Sequence, residues 1–270
     1  MKSDLEKIYN ESIKNPEEFW KKVADDIFWF KKPSKILNKS NPPFYKWYED
    51  GVTNTCYNAL DFHIDNGRGD RTALIYDSPI TGSKKKISYK ELTEKVSKFA
   101  GALQNQGIKK GDRVIIYMPM IPEAVIGMLA CARIGAIHSV VFGGFASNEL
   151  ASRIDDSKAK VLLTASCGFE PGKTVQYKPL VDEALKLASH KIEKLILFQR
   201  PDNEVKLNAP KEISWDEALS NAKNVDCVEM SSNEFAYILY TSGTTGVPKG
   251  IVRDIGGHIA ALKWTMKNIY

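Results

Sequence analysis

The segment from Tyr240 to Gly250, YTSGTTGVPKG, combines the residue types that bind phosphate. Its hydroxyl, glycine and lysine members are Thr241, Ser242, Gly243, Thr244, Thr245, Gly246, Lys249 and Gly250. Glycine lets backbone N–H groups approach a ligand, hydroxyls donate further hydrogen bonds, and lysine adds a positive charge. The pattern differs from the Walker motif G-x-x-x-x-G-K-[ST], because Gly250 follows Lys249. It predicts a phosphate-binding loop of another class; the alternative is a surface turn that contains a lysine.

The loop follows the apolar run Phe235–Leu239, which predicts a buried strand. Similar apolar runs alternate with amphipathic helical patterns through the chain. The main predicted strands are Ala73–Tyr76, Lys86–Ser88, Val114–Met118, His138–Phe142, Val161–Thr164, Leu195–Phe198 and Phe235–Tyr240. The run Lys84-Lys85-Lys86 predicts a solvated turn before a strand, Ala165–Lys178 a loop, and Pro179 the start of a helix. Ser88-Tyr89-Lys90-Glu91 is a capping-box pattern that predicts another helix start. Several are apolar throughout, which is typical of a parallel sheet covered by helices on both faces. The sequence therefore predicts an α/β fold, doubly wound in part.

Ligands of such folds collect where the strands end. Three loops follow predicted strands at that edge: Phe142-Gly143-Gly144-Phe145, Thr164–Lys173 and Thr241–Gly250. We expect them to converge on one binding region.

Residues 1–60 differ from the remainder of the chain in being irregular and rich in aromatic residues and proline. A helix is predicted from Pro16 to about Ile27. Large aromatic residues in an irregular segment usually anchor it to a neighbouring surface. We interpret this segment as a lid on the main domain, with a partner-binding arm as the alternative.

The composition excludes several classes of protein. With 38 basic and 33 acidic residues in 270, the net charge of +5 is too small and too dispersed for a nucleic-acid-binding surface. No apolar run is long enough to span a membrane. The four cysteines and four histidines lack metal-ligand spacing, so neither a metal site nor a disulfide framework is expected. The N-terminus resembles neither a secretory nor a transit peptide, which predicts a cytoplasmic protein.

The segment YTSGTTGVPKG resembles the phosphate loop of the adenylate-forming acyl-CoA synthetases. The run ISYKELTEKVSKFAGALQNQGIKKGDRVIIYMPMIPEAVIGMLACARIGAIHSVVFGGFASNELASRI is similar to the short-chain branch, which contains the acetyl-CoA and propionyl-CoA synthetases. The resemblance extends from about Phe19 to Tyr270. It implies an acetyl-CoA-synthetase-type N-terminal segment over residues 1–60 and part of an AMP-binding domain over 61–270.

The resemblance implies a reaction in two steps. A short-chain carboxylate attacks the α-phosphate of ATP to give acyl-adenylate and pyrophosphate, and coenzyme A then displaces AMP. Thr241–Gly250 would hold the β- and γ-phosphates, with Lys249 as the cation. The coenzyme A nucleotide would lie against Phe142, Gly143, Gly144 and Glu170, Pro171, Gly172 and Lys173, although Gly143-Gly144 could also be a plain turn. Lys173 stands where the family usually has arginine, which retains charge but loses the bidentate geometry.

Two segments favour propionate over acetate. Propionate-type members have E-P-G-R after the Val161–Thr164 strand, and this chain has Glu170-Pro171-Gly172-Lys173. Acetate enzymes tend to have H-x-x-G-G after the phosphate loop, whereas this chain has Arg253-Asp254-Ile255-Gly256-Gly257.

Family members continue for several hundred residues beyond the position of Tyr270. We therefore expect an N-terminal fragment that is inactive alone, with the acyl pocket, the Mg²⁺ ligands and the catalytic lysine of the C-terminal domain outside this chain. No catalytic residue is assigned within it. The alternatives are a non-catalytic, truncated nucleotide-binding protein and a P-loop NTPase, the latter disfavoured by the absence of [ST] after Lys249.

Overall fold

A computed structural model describes residues 4–201, 203–241 and 248–270. Within these ranges the helices are α1 (Asp4–Lys14), α2 (Pro16–Ala24), α3 (Thr55–Ala59), α4 (Asp61–Asp65), α5 (Tyr89–Asn105), α6 (Pro122–Arg133), α7 (Ser147–Ser157), α8 (Tyr177–Leu187), α9 (Trp215–Ser220) and α10 (Gly256–Asn268). The strands are β1 (Leu37–Asn38), β2 (Lys46–Trp47), β3 (Val52–Thr53), β4 (Thr72–Ser78), β5 (Ser83–Ser88), β6 (Arg113–Tyr117), β7 (Ile137–Val140), β8 (Val161–Ala165), β9 (Cys167–Glu170), β10 (Lys173–Gln176), β11 (Lys194–Phe198), β12 (Glu212–Ser214), β13 (Met230–Ser231), β14 (Phe235–Thr241) and β15 (Lys249–Asp254).

The central sheet has seven strands in the order β12-β11-β8-β6-β7-β14-β15. The first six strands in this order pair in parallel with their neighbours, and β15 pairs antiparallel with β14 at the edge. The prediction of an α/β fold with a mostly parallel sheet is confirmed. Parallel strands need long crossover connections, and helices lie in most of them; the connection from β11 to β12 has no helix among its described residues.

Helices cover both faces of this sheet. Ile116 and Leu163 belong to the core under α5, α6 and α9. Their neighbours Ile115 and Leu162 belong to a second core with α7 and α8. Successive strand residues point to opposite faces, so a strand buried on both sides is apolar at every position.

The N-terminal segment shares a third core with the end of the chain. Phe19, Val23 and Tyr48 pack with Ala236 of β14 and Ile259 of α10. The Tyr48 hydroxyl donates to the Trp20 carbonyl at 2.8 Å. The segment is therefore packed against the sheet-bearing part through buried side chains.

Three local predictions were wrong. Lys84-Lys85-Lys86 was predicted as a turn but lies in β5, which pairs with β4 in a separate hairpin. A polar ribbon of this kind, with an ion pair between Lys84 and Asp77 at 3.2 Å, needs little apolar pattern.

The predicted loop Ala165–Lys178 contains the β9–β10 hairpin, and α8 begins at Tyr177, before Pro179. Proline is tolerated in the first turn of a helix because N–H groups there have no intrahelical partner. Strand β15 was not predicted. Among the described helices, none has the length and apolar character needed to cross a membrane.

Candidate functional site

The three predicted loops follow the carboxyl ends of β7, β8 and β14. These strands run parallel, so their ends lie at one edge of the sheet. The fold thus gives all three loops a common edge, as expected from the alternating pattern.

The phosphate-loop residues fall partly within the described ranges. Ser242, Gly243, Thr244, Thr245 and Gly246 lie outside the described residues. At its two ends, Thr241 pairs with Lys249 across the β14–β15 ladder, and Tyr240 pairs with Gly250. Lys249 is exposed.

Gly250 has a packing role. A Cβ at this position would lie 3.1 Å from the Ile238 side chain and 3.2 Å from the Tyr240 ring. The restricted space favours glycine here, whether or not a ligand approaches its backbone.

Tyr240 connects the start of this loop to α7. Its hydroxyl donates to Asp156 at 2.6 Å. Burial, followed by that hydrogen bond, raises the pKa of Tyr240. The phenol therefore remains protonated near neutral pH and serves as a donor.

Arg153 of α7 links Tyr240 with the loop after β7. Its guanidinium carbon lies 4.8 Å from the ring centroid of Phe145 and 5.4 Å from that of Tyr240. One guanidinium nitrogen also donates to the Glu149 carbonyl at 2.6 Å and to its carboxylate at 2.7 Å. Sequence analysis missed this residue, because a single arginine on a helix carries no distinguishing signal.

Phe142, Gly143 and Gly144 form a tight turn beside an exposed ring. Phe142 is 70% exposed, and its ring meets that of Phe145 edge-on at 5.6 Å. A Cβ on Gly143 would lie 2.1 Å from the Tyr177 hydroxyl oxygen, and one on Gly144 would lie 2.7 Å from the Phe142 ring. Close packing on Tyr177 requires glycine at position 143, whereas at position 144 the exposed Phe142 ring can shift. That ring is free to stack on a planar ligand.

Tyr117 and Tyr177 support this turn from below. The Tyr117 hydroxyl donates to the Phe145 carbonyl at 2.7 Å, and the two tyrosine rings lie 5.1 Å apart. Burial raises the pKa of Tyr117 to about 12. The Tyr177 hydroxyl also lies 3.0 Å from the Cβ position of Gly168, so one side chain touches both the β7 loop and the β9–β10 hairpin. Sequence analysis did not identify either tyrosine.

Glu170, Pro171, Gly172 and Lys173 form the turn of the β9–β10 hairpin. Gly172 has φ +74°, a conformation that favours glycine. Lys173 Nζ lies 2.9 Å from a Glu170 carboxylate oxygen, and both side chains are exposed. Such surface pairs contribute about 0–1 kcal/mol. The ion pair reduces the positive charge that Lys173 can offer to a ligand.

The segment Arg253–Gly257 joins the end of β15 to the start of α10. Asp254 accepts hydrogen bonds from the backbone N–H groups of His258 and Gly257, while burial raises its pKa. A cavity of about 280 Å³ separates this segment from Trp20 and Trp47. Asp254 thus caps α10 where it meets the N-terminal segment.

One group of potential metal ligands comes together only in space. One ligand atom from each of Cys56, Asp61 and Cys227 lies within 4.8 Å of the others. Arg133 Nη1 contacts Asp61 at 2.8 Å, Cys227 at 3.2 Å and Cys56 at 3.5 Å. The guanidinium already occupies the position of a cation, so a metal ion does not fit unless Arg133 leaves.

Comparison with known proteins matches nearly the whole chain. The sequence model of the family described as "AMP-binding enzyme" matches residues 62–269, and that described as "Acetyl-coenzyme A synthetase N-terminus" matches residues 5–59. The chain is 54% identical over 260 residues to "Acyl-CoA synthetase short-chain family member 3, mitochondrial" of Rattus norvegicus, covering 96% of this chain and 38% of the relative. It is 41% identical over 271 residues to "Acetyl-coenzyme A synthetase" of Xylella fastidiosa, covering 97% and 41%.

A solved structure, "Acetoacetyl-CoA Synthetase from Streptomyces lividans", matches with a TM-score of 0.88. It is 24% identical and covers 98% of this chain and 40% of that chain, which supports the fold alone. The chain spans about two fifths of the length of the curated relatives it matches. The family resemblance inferred from the sequence is confirmed.

The prediction of a cytoplasmic protein is wrong. The rat, mouse and human relatives, each 54% identical to this chain, are described as mitochondrial. The prediction relied on the missing leader pattern in the first residues. Such an absence does not identify a compartment, because a targeting signal is separate from the fold it accompanies.

Proposed function

The chain belongs to the family of AMP-binding enzymes, and on that premise we propose that it takes part in activating a short-chain carboxylate. ATP and the carboxylate give acyl-adenylate and pyrophosphate, and coenzyme A then gives acyl-CoA and AMP. The supporting observation is the pairing of Thr241 with Lys249 at the carboxyl end of β14, on the edge shared by the other two predicted loops.

In this proposal the segment Thr241–Gly250 holds the phosphates that leave as pyrophosphate. Lys249 stabilises the negative charge that develops on them, which is an electrostatic contribution to the transition state. Phe142 stacks on the adenine of coenzyme A, and the Glu170–Lys173 turn contacts its phosphates. Magnesium would supply further charge neutralisation, and no ligand for it is assigned among these residues.

We favour propionate as the carboxylate, with acetate next. The segments Glu170–Lys173 and Arg253–Gly257 resemble the propionate-type pattern. The relatives are described as short-chain acyl-CoA and acetyl-CoA synthetases, which supports a small acyl group. The mitochondrial descriptions of the 54% identical relatives support a mitochondrial location.

Residues 1–60 would serve as the N-terminal segment and 61–270 as part of the AMP-binding domain. The chain corresponds to about two fifths of its relatives, so we expect no pyrophosphate exchange from these 270 residues alone. Exchange of labelled pyrophosphate into ATP, measured with propionate, tests this expectation. Clear activity of the isolated chain would contradict it.

The proposed activity is tested in a chimera that replaces the matching residues of the rat relative with this chain. We expect acyl-CoA formation from propionate, ATP and coenzyme A. Lys249→Ala should lower kcat about 100-fold, because one charge-stabilising contact in the transition state is lost. Lys90→Ala, an exposed lysine on α5, is the matched control and should retain activity. A well-folded chimera without activity, or an unaffected Lys249→Ala variant, would contradict the proposal.

A further inference from the structure

Arg200 lies in the segment after β11 and is only 7% exposed. Its backbone N–H donates to the Ser166 hydroxyl at 2.9 Å. Ser166 in turn donates its own N–H to the Phe198 carbonyl at 2.9 Å and accepts from the Tyr177 N–H at 3.0 Å. The main chain at Arg200 is therefore anchored where β8, β11 and α8 meet.

The guanidinium of Arg200 faces the β9–β10 hairpin. Its central carbon lies 4.7 Å from the ring centroid of Phe169 in β9. Within the described ranges, the structure gives this guanidinium neither a hydrogen bond nor an ion pair. Arg133 and Arg153, which are similarly buried, bind the carboxylates of Asp61 and Glu149.

Among the described residues, no carboxylate forms an ion pair with Arg200; Asp202, two residues further along the chain, lies outside them. Burial raises the pKa of the Glu123 carboxyl group, and this effect outweighs the positive charges of Lys85 and Arg200, which lower it. The hairpin turn has its own pair, Glu170 with Lys173 at 2.9 Å. Arg200 is thus a buried positive charge beside a turn whose charges are already paired.

A buried charge without a partner is costly, and guanidinium groups match the geometry of phosphate oxygens. The segment holding Arg200 is also tied to the hairpin, because Gln176 Nε2 donates to Asn203 Oδ1 at 3.3 Å. We propose that Arg200 binds a phosphate group of the ligand held at the Glu170–Lys173 turn. This inference rests on the proposed function, in which that ligand is coenzyme A.

The phosphate could be the 3′-phosphate of coenzyme A, its diphosphate, or the phosphates of ATP. Calorimetric titration of the chain with coenzyme A, 3′-dephospho-coenzyme A and pyrophosphate separates these sources. Arg200→Met should weaken coenzyme A binding about 10- to 100-fold, because charge-assisted hydrogen bonds are lost. A loss restricted to coenzyme A indicates the 3′-phosphate, and an equal loss for the dephospho form indicates the diphosphate. A loss for pyrophosphate alone would overturn the assignment to the coenzyme A turn.

Arg200→Lys keeps the charge without the planar fork, so its affinity should be intermediate. Arg68→Met is the matched control, since Arg68 also stacks on a ring, Phe62 at 5.5 Å, away from the hairpin. Thermal melts give a second readout: Arg200→Met should leave Tm unchanged or raised, because none of the described residues loses a hydrogen-bond or ion-pair partner of the guanidinium.

A lower Tm together with unchanged ligand affinity would show that Arg200 only packs the hairpin and would overturn the inference. Unchanged coenzyme A affinity in Arg200→Met, with normal binding by the unsubstituted chain, overturns the role of Arg200 alone. Failure of the unsubstituted chain to bind any of the three ligands overturns both this inference and the proposed site.

Discussion

His138 illustrates how a half-buried histidine with an enclosed ring nitrogen makes the stability of this protein depend on pH. Its ring packs on Tyr237 with centroids 5.5 Å apart, and its Nδ1 is enclosed without a hydrogen bond. Burial lowers the pKa of His138 to about 4, below the usual value of about 6.5. The unfolded chain therefore binds this proton more readily than the folded chain between those pH values.

Above about pH 6.5, His138 is neutral in both the folded and the unfolded chain and costs no stability. As the pH is lowered towards 4, the unfolded chain gains a proton that the folded chain does not bind, so the free energy of unfolding falls. We expect the urea midpoint to be lower at pH 5 than at pH 7, and His138→Phe to reduce this difference. Burial also lowers the pKa values of His63 and His258, so part of the pH dependence should remain. An unchanged difference in His138→Phe would contradict this prediction.

The glycine pair Gly143-Gly144 can be explained by packing as well as by ligand binding. In Phe142-Gly143-Gly144, the glycines fit because the Tyr177 hydroxyl and the Phe142 ring occupy the space of their side chains. A glycine pair after a strand predicted either a plain turn or a nucleotide-binding loop. The structure adds a packing requirement that holds for both interpretations.

At the scale of elements, α7 connects two loops of the candidate site. Arg153 stacks on Phe145 after β7 and on Tyr240 in β14, while Asp156, one turn further along α7, accepts from the Tyr240 hydroxyl. A change in the position of α7 would therefore move both loops together.

Replacing Arg153 with methionine should lower the free energy of unfolding by about 1–3 kcal/mol, because two cation–π contacts and a half-buried ion pair with Glu149 are lost. Urea unfolding measures this loss. A double-mutant cycle with Tyr240→Leu should reveal a coupling of at least about 0.5 kcal/mol. Additive effects in that cycle would contradict a link between α7 and β14.

At the scale of the whole molecule, Asn54 fastens the N-terminal segment to the rest of the chain. This fully buried side chain accepts from the Cys56 and Tyr57 N–H groups at the start of α3. It also donates to the Ala132 and Val228 carbonyls, both at 2.9 Å. One amide thus satisfies groups from three distant parts of the sequence.

Asn54→Ala should lower the free energy of unfolding by about 2–4 kcal/mol, since it removes the cap of α3 and the amide donor to the Ala132 and Val228 carbonyls. Asn66→Ala replaces an exposed asparagine that bonds within its own helical turn; it is the control and should lower the free energy of unfolding by less.

We expect the N-terminal segment to unfold together with the rest of the chain. In the unsubstituted chain, unfolding followed by circular dichroism and by tryptophan fluorescence should therefore give the same urea midpoint. Two separate midpoints would show that the N-terminal segment folds independently.

The sequence by itself determined the α/β class, the parallel sheet and the edge at which the three loops lie. These features follow from local patterns: apolar runs such as Val161–Thr164, capping sequences such as Ser88–Glu91, and the order of residues around Lys249. The structure confirms that class and shows the Ser88 capping box at the start of α5. The ligands of the loops remain proposals.

Only the tertiary structure decided which distant side chains meet. Arg133 with Asp61, Arg153 with Tyr240, and Arg200 with Phe169 are separated by dozens of residues, and no periodicity records such pairs. The β9–β10 hairpin was missed for a similar reason, because its pairing replaces an expected loop without an alternating apolar pattern. Local propensity sets the elements, whereas burial and charge compensation between elements decide which side chains a ligand can reach.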